Sequence, residues 1–188
     1  QVEYSATVGK IKSEKVDHVF LTIIPPGLGP FGKQLFESGF QKEGGTVSCV
    51  YYDENSPFYV EPYALEDTYS CLDFFHSVND PFSKQLVKDY NAMFKDTNYL
   101  LTAGTASTGM YRGIKLYEQG VIATNGDLAR EAVSEALDNI SVPEGPGGPY
   151  KTVPGTGHCA MNMYIAQNKG GDWNIISSAN MVPPNECA

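Results

Sequence analysis

Gly27, Gly29 and Gly32 stand in the order G-x-G-x-x-G within IIPPGLGPFG, residues 23 to 32. The apolar run HVFLTII, residues 18 to 24, reads as a buried strand just before them, and a second strand, TVSCVYY, ends at Asp53 and Glu54. In a dinucleotide-binding turn such glycines let the backbone approach a pyrophosphate, and an acidic residue roughly 20 positions on holds the ribose. Asp53 and Glu54 fall at that distance. Two features weigh against this reading. Pro25 and Pro26 separate the strand from the glycines, and Pro30 inside the motif removes a backbone N–H close to where a phosphate would dock. An NAD-binding Rossmann oxidoreductase is therefore the weaker alternative.

Other reactive side chains are scattered. His18, His76 and His158 have no metal-ligand spacing. His18 leads into a strand and reads as structural. His76 lies at a strand end beside Ser77, but a catalytic base needs a partner that the sequence does not supply. His158 and Cys159 are neighbours, and neighbours on a strand point to opposite faces, so they form no thiol–imidazole pair. The carboxylates Glu54, Glu61, Glu66 and Asp67 read as solvated surface. No enzyme and no cofactor is expected. The four cysteines, Cys49, Cys71, Cys159 and Cys187, include no C-x-x-C. They allow two disulfides, with Cys49–Cys71 and Cys159–Cys187 favoured, or four buried free thiols.

The elements that must position these residues alternate. Residues 5–15 read as a helix capped by Ser5. Strand 18–24, helix 31–40 and strand 46–52 follow. A Pro- and Tyr-rich stretch, 53–66, reads as a loop with one helical turn, and strand 68–75 follows it. Asp80 caps a helix with Pro81 in its first position, and Phe82, Leu86, Tyr90, Met93 and Phe94 form its apolar face. A second helix, 106–122, aligns Met110, Ile114, Tyr117 and Val121 on one side. Asp127 caps a third. PEGPGGPYKTVPGTGH is turn-dense, and MNMYIAQN and WNIISSAN read as a hairpin around residues 169–172. This order predicts an α/β fold, a mainly parallel sheet flanked by helices, with a C-terminal β-hairpin. Ligands of such sheets sit beyond the carboxyl ends of the strands.

Bulk properties agree with a globular chain. The 188 residues carry a net charge of -9, which opposes a phosphate backbone and argues against nucleic acid. No apolar stretch reaches the roughly 18 residues that span a bilayer. Asn139-Ile140-Ser141 is an N-glycosylation sequon.

The run LDFFHSVNDPFSKQLVKDYNAMF resembles the aromatic–aromatic–x–Ser strand, turn and helix of the amide- and urea-binding branch of type I periplasmic solute-binding proteins. MYRGIKLYEQGVIATNGD resembles that family's long helix. VPEGPGG, GHCAMNMYIAQ and WNII resemble its Pro-x-Gly-Pro turn, its histidine and its closing hairpin. ATVGKIKSEKVDHVFLTII and FGKQLFESGF are similar to its helix–Asp–strand unit and the next helix. The similarity runs in order through nearly the whole chain.

The resemblance implies two α/β lobes joined by three crossovers, closing without chemistry over a small polar ligand such as an amide, urea or amino acid. Carried over by position, the ligand-binding residues are Gly27 and Gly29 at the mouth of the first strand, Tyr52, Asp53 and Glu54 after the second, and Phe75 and Ser77, with Phe74, on the aromatic–Ser strand. The family's chains are about twice as long, so this chain is expected to be the carboxyl-terminal half. A second chain carrying the N-terminal half would complete it, an ABC-transporter membrane complex would receive the solute, and the location would be periplasmic or extracellular. The expected division is a second-lobe segment over 1–104, helices returning to the first lobe over 105–142, and a hinge segment with hairpin over 143–188. An assembly subunit on the same scaffold, no longer binding solute, is the alternative.

Overall fold

Leu72, Tyr164 and Ile176 are the last residues before three points at which the chain passes between two compact units. In the computed structural model, which describes residues 3–24, 26–102 and 107–185, the first unit comprises residues 1–72 and 165–176, and the second comprises 73–164 and 177–188. The expected segment 1–104 thus contributes to both.

The first unit is built from α1 (Ser5–Ser13), β1 (His18–Leu21), α2 (Leu28–Glu37), β2 (Thr46–Cys49), a 3-10 turn (Ser56–Phe58), α3 (Pro62–Leu65) and β3 (Tyr69–Leu72). β1, β2 and β3 are parallel neighbours, with Leu21 opposite Cys49 and Cys49 opposite Ser70. Alternation sends Leu21, Val47, Cys49 and Ser70 inward. Val8 of α1 and Phe31 and Leu35 of α2 are buried as well. All three strands are shorter than the apolar runs suggest.

Local chemistry explains the other boundaries. α2 starts ahead of the expected residue 31 because Gly27 takes the N-cap with a helical φ of -70° and Leu28 is fully buried. Pro30 falls in the first turn, where its missing N–H is tolerated. α1 is capped from Tyr4 rather than Ser5, and the Ser5 N–H is held by Glu3 Oε1 at 2.9 Å.

The strand register overturns one expected disulfide. Cys49 faces the buried layer, whereas Cys71, one residue past its neighbour Ser70, points to the exposed face. Adjacent strands cannot bridge cysteines on opposite faces without moving the backbone. Cys49, Cys71 and Cys159 are free thiols, and Cys187 lies outside the described residues.

The second unit holds α4 (Pro81–Met93), α5 (Thr108–Ala123), α6 (Arg130–Leu137), β4 (Ser141–Val142) and β5 (Tyr150–Val153). The last two strands, β6 (His158–Lys169) and β7 (Asp172–Val182), run through both units. Asp80 caps α4 as expected, its Oδ1 accepting the Ser83 N–H at 2.9 Å. Asp127 does not cap α6. Ala129 occupies that position, and Asp127 Oδ1 accepts its N–H at 2.8 Å. α5 and α6 meet at Gly120, where any Cβ would press on Val133 and Leu137.

β5 pairs antiparallel with β4 and β6. It arises from YKTV within the turn-dense stretch, which hid a short strand between its glycines. The hairpin of β6 and β7 turns on Gly170 and Gly171, at φ 62° and 91°, the left-handed pair that a tight two-residue turn requires.

The aligned apolar side of α5 is open. Met110, Ile114 and Tyr117 are 60%, 61% and 52% exposed. Phe20 on β1 is equally exposed, at 60%. Among the described residues no helix is long and apolar enough to cross a membrane.

Candidate functional site

The loops that follow β1 and β2 lie at the carboxyl ends of parallel strands, where open α/β sheets place their ligands. Both belong to the first unit. Five of the expected residues fall in this unit: Gly27 at the N-cap of α2, Gly29 in its first turn, and Tyr52, Asp53 and Glu54 in the loop after β2. Phe75 and Ser77 belong to the second unit. There Phe75 is fully buried beside Phe74, Ser77 is exposed, and the Val78 N–H closes a turn on the Phe75 carbonyl at 3.0 Å.

The glycines are explained by close packing. A Cβ on Gly29 would overlap the Tyr59 carbonyl oxygen. One on Gly27 would sit 2.8 Å from the Tyr4 hydroxyl, and one on Gly32 would sit 2.9 Å from the Tyr52 hydroxyl. None of the three has a positive φ. Gly29 and Gly32 let α2 lie against the loop after β2, and Gly27 admits Tyr4, so the G-x-G-x-x-G spacing carries no need for a phosphate. Pro25, ahead of them, lies outside the described residues.

The loop after β2 is held from within and from the hairpin. Asp53 Oδ1 accepts the Asn55 N–H at 2.9 Å, and the Asp53 N–H donates to Ser56 Oγ at 2.8 Å. The Tyr59 hydroxyl lies 3.1 Å from Ser56 Oγ and donates to the Tyr51 carbonyl at 3.0 Å. Trp173 on β7 donates its indole N–H to the Asp53 carbonyl at 2.8 Å. Its ring also stacks, tilted, 6.2 Å from the fully buried Tyr52. Sequence reading missed Trp173, because a lone tryptophan in an apolar strand gives no sign of which carbonyl it will reach. Asp53 and Glu54 remain half-buried at the loop.

Burial keeps the phenols and the thiol of this region protonated. Burial pushes the Tyr59 phenol up to about 12 and raises Tyr52 and the Cys49 thiol as well. Groups pushed that way are neutral donors at ordinary pH, unlike a base poised near neutrality. His76, which follows β3, places Nε2 2.8 Å from the Leu101 carbonyl. Among the described residues no three His, Cys, Asp or Glu side chains come together to hold a metal.

A second feature of the first unit is an open groove of about 720 Å³. Val8 and Gly9 of α1, Lys33 and Glu37 of α2, and Phe58 and Glu61 line part of it. It shares only Gly29 with the expected site, and within it Lys33 lies 4.0 Å from Glu37 and 3.8 Å from Glu61.

Residues 1–172 match the family model described as periplasmic binding protein. No curated protein sequence matches the chain. Among solved structures, the chain is similar to a solute binding protein of an ABC transporter from Rhodopseudomonas palustris BisB5, in complex with 3,4-dihydroxybenzoic acid. The two share 22% identity at a TM-score of 0.77, over 96% of this chain and 50% of that one. An R. palustris solute binding protein in complex with benzoate gives 21% identity and a TM-score of 0.79, over 99% and 49%. A leucine binding protein from Thermotoga maritima gives 16% identity and a TM-score of 0.79, over 96% and 49%. The chain spans about half the length of these structures.

Proposed function

This chain belongs to the periplasmic binding protein family, with the type I fold of its ABC-transporter relatives, and from that premise we propose that it is the carboxyl-terminal part of a two-lobe solute-binding protein. It binds a small polar organic solute, an amide, urea or amino-acid-like molecule, without chemical conversion. The segments after β1 and β2 supply Gly27, Gly29, Asp53 and Glu54 to that solute. The bound solute is delivered to an ABC-transporter membrane complex from the periplasmic or extracellular side.

The observation that carries this reading is the open stripe of α5. Met110, Ile114 and Tyr117 recur at the spacing of a single helix face. An isolated apolar face of that kind is normally buried. Its exposure supports a partner layer, and a second chain carrying the N-terminal half supplies one. The unpaired side of β1 and the exposed Phe20 add a sheet margin that such a half would cover.

The full burial of Tyr52 and Phe75 favours a second reading, in which the same scaffold serves only assembly. Two measurements separate them. Native mass spectrometry of the protein from its source, under non-reducing conditions, identifies every chain present. Calorimetry on that material with acetamide, urea, leucine and benzoate then reports solute binding. The solute-binding reading expects a heterodimer and saturable heat with at least one of these solutes. A heterodimer silent to all four sustains the assembly reading. A monomer that melts cooperatively, with no partner, overturns both.

A further inference from the structure

We infer that Arg112 and Asn162 build one clamp inside the second unit, gripping the unit-2 ends of all three crossing segments so that they behave as a single rigid piece. It starts at the first crossing. Asp73, the residue after Leu72, is buried and forms an ion pair with Nη1 of buried Arg112 on α5. Thr108 Oγ1 donates to the same carboxylate at 3.3 Å.

Arg112 then reaches the Pro146-Gly147 turn. Its Nη2 donates to the Pro146 carbonyl at 2.8 Å, and its guanidinium lies 5.9 Å from the centre of the Tyr150 ring. Gly147, at φ 77°, packs so closely on the Asp73 carbonyl that a Cβ would overlap it. Its N–H donates to Ser83 Oγ at 3.0 Å, which ties the turn to α4.

The Gly147 carbonyl faces the second crossing. It accepts from the Tyr164 hydroxyl at 2.8 Å and from Asn162 Nδ2 at 3.1 Å, and Tyr164 is the last residue before that crossing. Asn162 turns its Oδ1 to the segment that follows the third crossing, where it accepts the N–H of Met181, beyond Ile176 on β7, at 3.0 Å. Met181 has a φ of 48°, a conformation that non-glycine residues keep only when their surroundings enforce it. A continuous path of polar contacts therefore joins Asp73, Arg112, Pro146-Gly147, Asn162 and Met181.

Breaking a buried pair by removing one partner leaves an uncompensated charge, so each member depends on the others. With these contacts in place, the segments that carry Asp73, Tyr164 and Met181 are fixed to one another within the second unit. The use of the clamp rests on the two-lobe reading, but its geometry lies wholly within the second unit, and its test needs no solute.

Hydrogen exchange on the native protein distinguishes a clamp from separate bonds. Asn162→Ala removes the Met181 acceptor, and Arg112→Lys disturbs the other end. The clamp expects exchange at the Met181 and Gly147 amides to rise at least about tenfold in both variants, including Met181 in Arg112→Lys, which Arg112 does not touch. Effects confined to the mutated residue's own partners overturn it. Should Arg112→Lys fail to fold, Tyr164→Phe, which deletes one hydroxyl, carries the same comparison: faster exchange at Met181 sustains the clamp, and an unchanged rate overturns it.

Discussion

Trp173 and Asp53 lie 120 positions apart and are joined by a hydrogen bond of 2.8 Å from the indole N–H to the main-chain carbonyl. That bond fastens the loop after β2 to the hairpin, and Tyr52 beneath it completes the contact. Trp173→Phe keeps an aromatic ring and deletes the donor. It should cost about 1–2 kcal/mol, since a half-buried carbonyl loses its partner. Urea unfolding followed by circular dichroism measures the loss, and exchange at the Asn55 and Ser56 amides should quicken alongside it. An unchanged midpoint would show that Asp53 does not depend on this donor. Trp173 is the sole tryptophan, so fluorescence cannot follow the variant.

Gly29 and Gly9 make opposite predictions. Alanine at Gly29 collides with the Tyr59 carbonyl, a backbone atom that cannot turn aside. Gly29→Ala should destabilise by about 1–3 kcal/mol through overpacking. Gly9 lies inside α1 with open space where its Cβ would be. Gly9→Ala should stabilise by about 0.5–1 kcal/mol, the helix propensity difference. Differential scanning calorimetry reads both. If Gly29 were instead a phosphate-cradle glycine, its alanine variant would fold normally and lose only a ligand.

The sheet register sets the behaviour of the thiols. Cys71 should be alkylated in the native chain, whereas Cys49, buried and with its thiol pushed up by that burial, should react only after unfolding. Peptide mapping after brief treatment with iodoacetamide tests this. A Cys49–Cys71 linked peptide from non-reduced material would refute the register. In the heterodimer proposed above, Cys71 should become protected wherever the partner half covers its face of the sheet.

Apolar period and turn chemistry carried the element order into the sequence, and packing decided what they could not. The Asp80–Pro81 cap was legible because side chain, ring and helix start act within four residues. The stripe Met110–Ile114–Tyr117 was legible as a face, but spacing says only that a face needs cover, not that this chain provides it. The glycine triplet was legible as a constraint on the backbone, yet its cause lay in Tyr59, Tyr4 and Tyr52, which reach it only in the fold. Arg112 gave no signal at all. A charged residue on a helix usually faces water, and its partners Asp73 and Pro146 are each more than 30 positions away.

Buried phenols should make the protein fail at high pH in a defined window. Burial pushes Tyr59 and Tyr150 up to about 12, and Tyr52 is raised by burial too. In the unfolded chain these side chains ionise near 10. Between those values the unfolded state has lost protons that the folded state still holds, so the unfolded state binds fewer protons and stability falls as pH rises. The contribution is whole below about 10 and is spent by about 12 for Tyr59 and Tyr150. Of the 12 tyrosines, the exposed ones should titrate first. Phenolate absorbance should then show a delayed step that coincides with loss of the circular dichroism signal. Tyr59→Phe should remove its share of the delayed step. It should also move unfolding to higher pH, because a phenylalanine has no proton to lose, even though the hydrogen bond to the Tyr51 carbonyl goes with the hydroxyl. A single titration step near 10, with the fold intact beyond it, would mean that these three phenols are open to water.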